Sequence, residues 1–203
     1  MKLICIGRNY AEHAKEMDSA IPTEPIFFLK PDTAVIKDNQ PFYYPDFSKE
    51  IHHEVELIIK ISKAGKNIDP EFANKYYDEI GIGIDFTARD IQNKCKEKGL
   101  PWEKAKAFDG SAPIGQFIDK KNISDLSDIN FHLTINENTV QKGNTKDLLF
   151  SFDTIIAYVS KFFTLKTGDL IFTGTPEGVG PVAIGDKLEA YIENKKLLSF
   201  EIK

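Results

Sequence analysis

The chain has 203 residues, 41% of them hydrophobic, and 26 Lys and Arg against 31 Asp and Glu leave a net charge of −5. A chain of this size removes about 70% of its unfolded surface from water and needs no disulfide staple, and its acidic balance argues against a nucleic-acid binder, which needs a basic surface. Two cysteines suit a reducing compartment and no apolar run approaches the roughly 18 residues of a membrane span, so a single cytoplasmic domain over residues 1–203 is expected, with neither nucleic acid nor membrane as partner.

In chain order, Lys2 to Ile6 and Ile26 to Leu29 read as strands, the second closed by Lys30-Pro31. Val55 to Ser62 is a third, ending in the turn Lys63-Ala64-Gly65-Lys66. Asp69-Pro70 predicts a helix start, with Asp as N-cap and Pro at the first helical position. Ile80 to Phe86 alternates Gly and Ile before Asp85, as where another backbone approaches closely. The period then changes: Ala88, Ile91 and Cys95 form a helical stripe within Thr87 to Lys98, stopped by Gly99-Leu100-Pro101. Phe131, Leu133 and Ile135 alternate up to a hairpin turn at Asn136-Glu137-Asn138. Ser151 would cap a helix whose apolar face is Phe152, Ile155, Ile156, Val159, Phe162 and Phe163. Leu188, Ala190 and Ile192, then Leu198, Phe200 and Ile202, make the arms of a last hairpin turning at Glu193-Asn194. Strands without regularly alternating helices argue for a mainly β chain and against a regular parallel α/β fold.

His52-His53-Glu54-Val55-Glu56-Leu57 is the most informative stretch. On a strand, residues two apart share a face, so Glu54 and Glu56 project together with His52 behind them. Two such carboxylates are either a solvent-facing edge or two ligands of a hard divalent cation such as Mg²⁺. Asp85, ending an apolar strand before a helix, is a third candidate ligand or a helix cap. Arg89 and Gln92, three apart on a helix beside it, suit a substrate carboxylate or an ordinary surface, and Asp90 with Lys94 reads as an i,i+4 pair. A lysine near three carboxylates would offset their charge and stabilise an enolate; composition does not choose between Lys104 and Lys106. Residues 173–180, Thr-Gly-Thr-Pro-Glu-Gly-Val-Gly, form a shaped loop whose N–H groups and hydroxyls suit an anion or a tight structural turn. The loop lacks the Gly-Lys-Ser/Thr ending of a phosphate-binding loop and the βαβ setting of a dinucleotide fingerprint.

Six motifs taken in order, Gly7-Arg8-Asn9-Tyr10, Phe28-Leu29-Lys30-Pro31, His52 to Glu56, Asp85 to Asp90, Gly99-Leu100-Pro101-Trp102 and Thr173 to Gly180, span the chain. Together they resemble the fumarylacetoacetate hydrolase family, in its small acylpyruvase and oxaloacetate decarboxylase branch. The resemblance implies a mixed β-sandwich roll with a few peripheral helices, assembled as a homodimer. It implies Glu54, Glu56 and Asp85 as ligands of Mg²⁺ or Mn²⁺, and Lys106 as the active-site lysine. It further implies Lys30, Arg89, Gln92 and Thr175 around the substrate, and a lid over about residues 7–20 carrying a catalytic pair, His13 and Glu16.

The activity so implied is hydrolysis of acylpyruvates (2,4-dioxo acids), with decarboxylation of oxaloacetate. Three carboxylates, one divalent cation and Lys106 balance, which would leave Arg89 for a distal substrate carboxylate. His13 with Glu16 would activate water for hydrolysis; decarboxylation needs none. The alternative is an isomerase or keto–enol tautomerase of 2-oxo dicarboxylic acids on the same site. A catalytically inert binder is the reading from another class.

Overall fold

Leu3, Ile4, Cys5 and Ile6 point alternately to opposite sides yet are all buried, so the first strand is covered on both faces. The computed structural model describes residues 1–17 and 20–203. The first half of the chain runs β1 (Leu3–Gly7), α1 (Ala11–Glu16), β2 (Ile26–Lys30), β3 (Val35–Ile36), β4 (Ile51–His53), β5 (Val55–Ile61), β6 (Tyr77–Ile84) and β7 (Thr87–Ala88). Two helices follow, α2 (Arg89–Lys98) and α3 (Glu103–Lys106), then β8 (Ala112–Asp119) and the hairpin β9 (Asn130–Ile135) and β10 (Asn138–Asn144). The chain closes with α4 (Phe152–Val159), β11 (Leu170–Phe172), β12 (Gly180–Pro181) and the hairpin β13 (Lys187–Ile192) and β14 (Lys195–Glu201).

Seven strands form a curled sheet in the order β2-β1-β11-β5-β6-β8-β3, in which only β1–β11 and β3–β8 are parallel. One face of it sends Ile4, Ile6, Leu57, Ile59 and Ile171 into the main core. A four-stranded sheet, β10-β9-β13-β14, supplies Phe131, Leu133, Leu188, Ala190 and Phe200 to the same core. The opposite face of the large sheet buries Leu3, Cys5, Ile58, Ile114 and Phe172 in a smaller cluster. The mainly β expectation, with a few helices at the periphery, therefore holds.

This topology gathers chemistry at one end of the large sheet. The carboxyl ends of β1 and β11 lie side by side because the two strands are parallel. β5 runs antiparallel to β11 and to β6, so its amino end meets the carboxyl ends of both. Glu54 sits in the break between β4 and β5, and its carbonyl accepts the Asp85 N–H at 2.8 Å. Residues far apart in sequence thus share one rim.

The hairpin turns follow the sequence signals. Asn136 and Glu137, both at positive φ, close β9 onto β10, and Ile192 pairs Lys195 across the turn at Glu193-Asn194. Helices differ more. Pro70–Lys75 is a 3₁₀ segment, capped by Asp69 Oδ1 accepting the Glu71 N–H at 2.9 Å. Thr87 and Ala88 are strand, because they pair with His52 and Ile51 before the helix begins at Arg89. Ser151 caps α4 as expected, but the helix ends at Val159 and Phe162 is exposed. There Ser160 turns its hydroxyl inward, donating to the Ala157 carbonyl and accepting the Ile68 N–H. Asp90 takes its hydrogen bonds from Ser48 Oγ (2.7 Å) and the Lys49 N–H (3.4 Å), with Lys94 adding a longer-range attraction, and so ties α2 to the approach to β4.

The Gly-Ile-Gly-Ile run of β6 is a close-approach site. A Cβ on Gly83 would lie 2.7 Å from the Pro113 carbonyl oxygen, whereas one on Gly81 would meet the side-chain ring of Phe117. Gly83→Ala is therefore expected to destabilise the protein by about 1–3 kcal/mol in urea denaturation, and by more than Gly81→Ala, whose neighbour can yield.

Candidate active site

Glu54, Glu56 and Asp85 are all buried, and one carboxylate oxygen from each lies within 4.8 Å of the others. Three buried negative charges at this spacing require compensation. Lys106 Nζ supplies part of it, donating to Glu54 Oε2 at 2.8 Å and Asp85 Oδ2 at 2.7 Å. Lys30 Nζ pairs with Asp85 Oδ1 at 2.7 Å. Arg89 closes on Glu54 from another side, 2.6 Å from Oε1. Burial pushes the Glu54 carboxyl up, but Lys106 and Arg89 outweigh it and hold the group well below the usual carboxylate range. Burial likewise penalises the Lys106 ammonium, and Asp85 and Glu54 more than restore it.

Glu56 is different. Its Oε2 accepts the Gly174 N–H at 2.7 Å, and among the described residues no cation pairs with it. Burial and repulsion from Asp85 and Glu54 push its carboxyl well above the ordinary range. A buried carboxylate destabilised by its neighbours, in a set of three converging oxygens, is the donor chemistry of a hard divalent cation. The residues present fit such an ion.

Gly174 owes its place to the same contact. It adopts a φ of +104°, and a Cβ there would lie 2.6 Å from Asn9 Cβ. Asn9 Nδ2 donates to the Thr173 carbonyl at 2.8 Å and the Phe150 carbonyl at 3.0 Å, pinning the Gly7-Arg8-Asn9-Tyr10 turn to the glycine loop. The loop does hold anions, but they are the protein's own: Gly174 N–H serves Glu56 and Gly178 N–H donates to Glu16 Oε1 at 3.1 Å.

Glu16 Oε2 lies 3.1 Å from His13 Nδ1, one turn back on α1. With Nδ1 engaged, Nε2 is the ring nitrogen left for substrate, and His13 is buried in the cleft wall. The expected lid over residues 7–20 includes residues 18 and 19, which lie outside the described residues.

One cleft brings His13, Glu54, Glu56, Asp85, Arg89, Gln92, Lys106 and Thr175 onto one wall system. Glu16 stands behind His13. Lys30 does not face the cleft: its side chain is fully buried, and Nζ also donates to Ser111 Oγ (2.9 Å), to the Ser111 and Phe86 carbonyls, and to the Lys106 carbonyl. Geometry separates the two lysines that composition left open, since Lys104 is exposed and Lys106 buried. Arg89 is not spare either; besides Glu54 it holds Gln92 Oε1 at 2.6 Å. Two further cations line the cleft, Arg8 and Lys96, and neither forms an ion pair among the described residues. Lys96 continues the Arg89–Gln92 face of α2, a spacing that sequence reasoning had available. Burial, with Arg89 and Arg8 nearby, lowers its ammonium pKa.

Known proteins resemble this chain in sequence and fold. The family described as fumarylacetoacetate (FAA) hydrolase C-terminal matches residues 2–202. Mouse mitochondrial oxaloacetate tautomerase FAHD1 is 43% identical over 201 residues, covering 99% of this chain and 91% of its own. Oxaloacetate tautomerase YcgM of Escherichia coli (strain K12) is 43% identical over 197 residues, covering 97% and 90%. Among solved structures, fumarylpyruvate hydrolase from Pseudomonas aeruginosa in complex with Mn²⁺ and pyruvate superposes with a TM-score of 0.94 at 37% identity, over 100% of this chain and 89% of that one.

If the carboxylate cluster holds a divalent cation, Mn²⁺ or Mg²⁺ at a hundredfold excess over Kd stabilises the protein by about 2.7 kcal/mol, which raises Tm by about 5–10 °C. Thermal melting with and without the ion checks this, and Glu56→Gln is expected to abolish the shift.

Proposed function

This chain belongs to the fumarylacetoacetate hydrolase family, and within it we propose that the protein is a divalent-metal-dependent enzyme of small 2-oxo acids whose principal reaction is keto–enol tautomerisation of oxaloacetate. The observation that carries the reading is Glu56, a buried carboxylate that no cation pairs with among the described residues, in the same cleft as His13 and several cations. Sequence reasoning put hydrolysis and decarboxylation first. The names of the mouse and E. coli relatives favour the tautomerase order.

Mg²⁺ or Mn²⁺ bound by Glu54, Glu56 and Asp85 would supply Lewis acidity to the 2-oxo group and lower the energy of its enolate. The chain's own residues do the rest. Lys106 uses two of its three N–H donors on Glu54 and Asp85, which leaves the third for an enolate oxygen. His13, oriented by Glu16 through Nδ1, moves a proton at the substrate's C3 through Nε2. In the enol-to-keto direction the enol O–H loses its proton and C3 gains one, so no water is consumed. Lys30, Lys106 and Arg89 match the three carboxylates in charge, so a divalent cation would bring two positive charges in excess, suited to a dianionic 2-oxo acid.

Hydrolysis of an acylpyruvate is the second reading. It is favoured by the same His13–Glu16 pair, which suits activation of water, and by the likeness to fumarylpyruvate hydrolase. Loss of enol absorbance from oxaloacetate, acetylpyruvate cleavage and CO₂ release, measured on one metal-loaded preparation, separate the readings. Tautomerisation is expected to have the highest kcat/KM, and His13→Ala to lower it by about 10²–10⁴-fold with metal binding retained. Faster acetylpyruvate cleavage or CO₂ release would reverse the order. A homodimer belongs to the same proposal, and sedimentation should report about twice the 22.9 kDa chain mass.

A further inference from the structure

Gln141 lies in β10, in the four-stranded sheet; its side chain is buried, and its position in the chain falls outside every sequence motif. All four of its hydrogen-bonding positions are used. Oε1 accepts the Val55 N–H at 3.0 Å and stands 2.8 Å from His53 Nδ1. Nε2 donates to the Pro176 carbonyl at 3.0 Å and to Thr175 Oγ1 at 2.9 Å. Val55 separates Glu54 from Glu56, so one amide ties the strand that carries two carboxylates to the loop that carries Thr175.

The backbone partners fix which way this amide points. A peptide N–H only donates and a peptide carbonyl only accepts, so the oxygen must face Val55 and the NH₂ must face Pro176. Two consequences follow. His53 must carry its hydrogen on Nδ1 in order to donate to Oε1, and Thr175 Oγ1 must accept from Nε2. A hydroxyl whose oxygen is engaged by an N–H donor keeps its own hydrogen for another acceptor. Among the described residues no protein acceptor takes it, and Thr175 lines the same cleft as Glu56 and Lys106.

We propose that Gln141 is a positioning residue that makes Thr175 a hydrogen-bond donor to substrate, so that the cleft reads an acceptor oxygen, carboxylate or enolate, at this point. The chain of bonds runs from His53 Nδ1–H to Gln141, from the Gln141 NH₂ to Thr175, and from the Thr175 O–H into the cleft. Without Gln141 the hydroxyl is free to donate to the Pro176 carbonyl instead of into the cleft. The proposal rests on the reading of the cleft as a 2-oxo acid site, and it concerns a residue that never touches the ligand.

Binding of pyruvate to the Mn²⁺-loaded protein, measured by titration calorimetry, tests it without turnover. Thr175→Val is expected to weaken binding by roughly tenfold or more, the loss of a hydrogen bond to a charged acceptor, and Thr175→Ser to retain it. Gln141→Met is expected to weaken binding comparably, and the double variant Gln141→Met/Thr175→Val to be no worse than Thr175→Val alone. Gln141→Glu keeps both acceptor positions and loses both donors, so it should behave as Gln141→Met even where its melting temperature stays close to that of the wild type. Unchanged pyruvate affinity in the two Gln141 variants, or losses that multiply in the double variant, would overturn the proposal. Absence of pyruvate binding to the wild-type holoprotein would instead sink the 2-oxo acid reading beneath it.

Discussion

Mutual repulsion among Glu54, Glu56 and Asp85 governs much of this structure. Their oxygens converge within 4.8 Å in a buried site, where charge is poorly screened, and removing one partner of a buried ion pair commonly costs about 3–5 kcal/mol. The fold answers with cations drawn from three separate places: Lys30 from the edge strand β2, Arg89 from the first turn of α2, and Lys106 from α3. Each must arrive for the others to be tolerated. Lys30 illustrates the commitment, because its ammonium crosses into the interior and is held there by Asp85, Ser111 and two more backbone carbonyls. What looks like an active-site lysine is in this respect part of the frame.

The same electrostatics reconcile an acidic protein with the anionic substrate proposed for it. The chain carries a net charge of −5, yet Arg8, Arg89, Lys96 and Lys106 all line its cleft. The glycine loop adds oriented N–H groups that are already engaged by Glu56 and Glu16, so it stabilises the site's own carboxylates and is not an empty anion cradle. Sequence pattern alone distinguishes poorly between these uses, because a loop that binds a ligand and a loop that binds its own protein have the same composition.

Legibility in the sequence followed the range of the interactions. Strands and hairpins were readable because alternation and positive-φ turns are local, as at Phe131, Leu133 and Ile135 before Asn136. Glu54 and Glu56 could be paired as candidates because period-2 geometry needs no distant partner. Helix boundaries were less secure: α2 starts late because Thr87 and Ala88 find strand partners in His52 and Ile51, and α4 stops early where Ser160 turns inward. The strand β8 escaped notice because Pro113 and Gly115 interrupt its pattern, and only the pairings with β6 and β3 make it a strand. Gln141 carried no signal at all. Its role depends on contacts to residues 34 to 88 positions away, which no window along the chain contains.

The attachment of Glu16 joins two properties that are usually discussed apart. One carboxylate both orients the His13 ring and receives the Gly178 N–H, so the residue that arms the imidazole is also the one that fastens α1 to the glycine loop. The helix cannot swing clear of that loop with both attachments intact. Any displacement of α1 from the loop must therefore break the Gly178 N–H bond to Glu16, and with it one of the two contacts that fix the carboxylate beside the His13 ring.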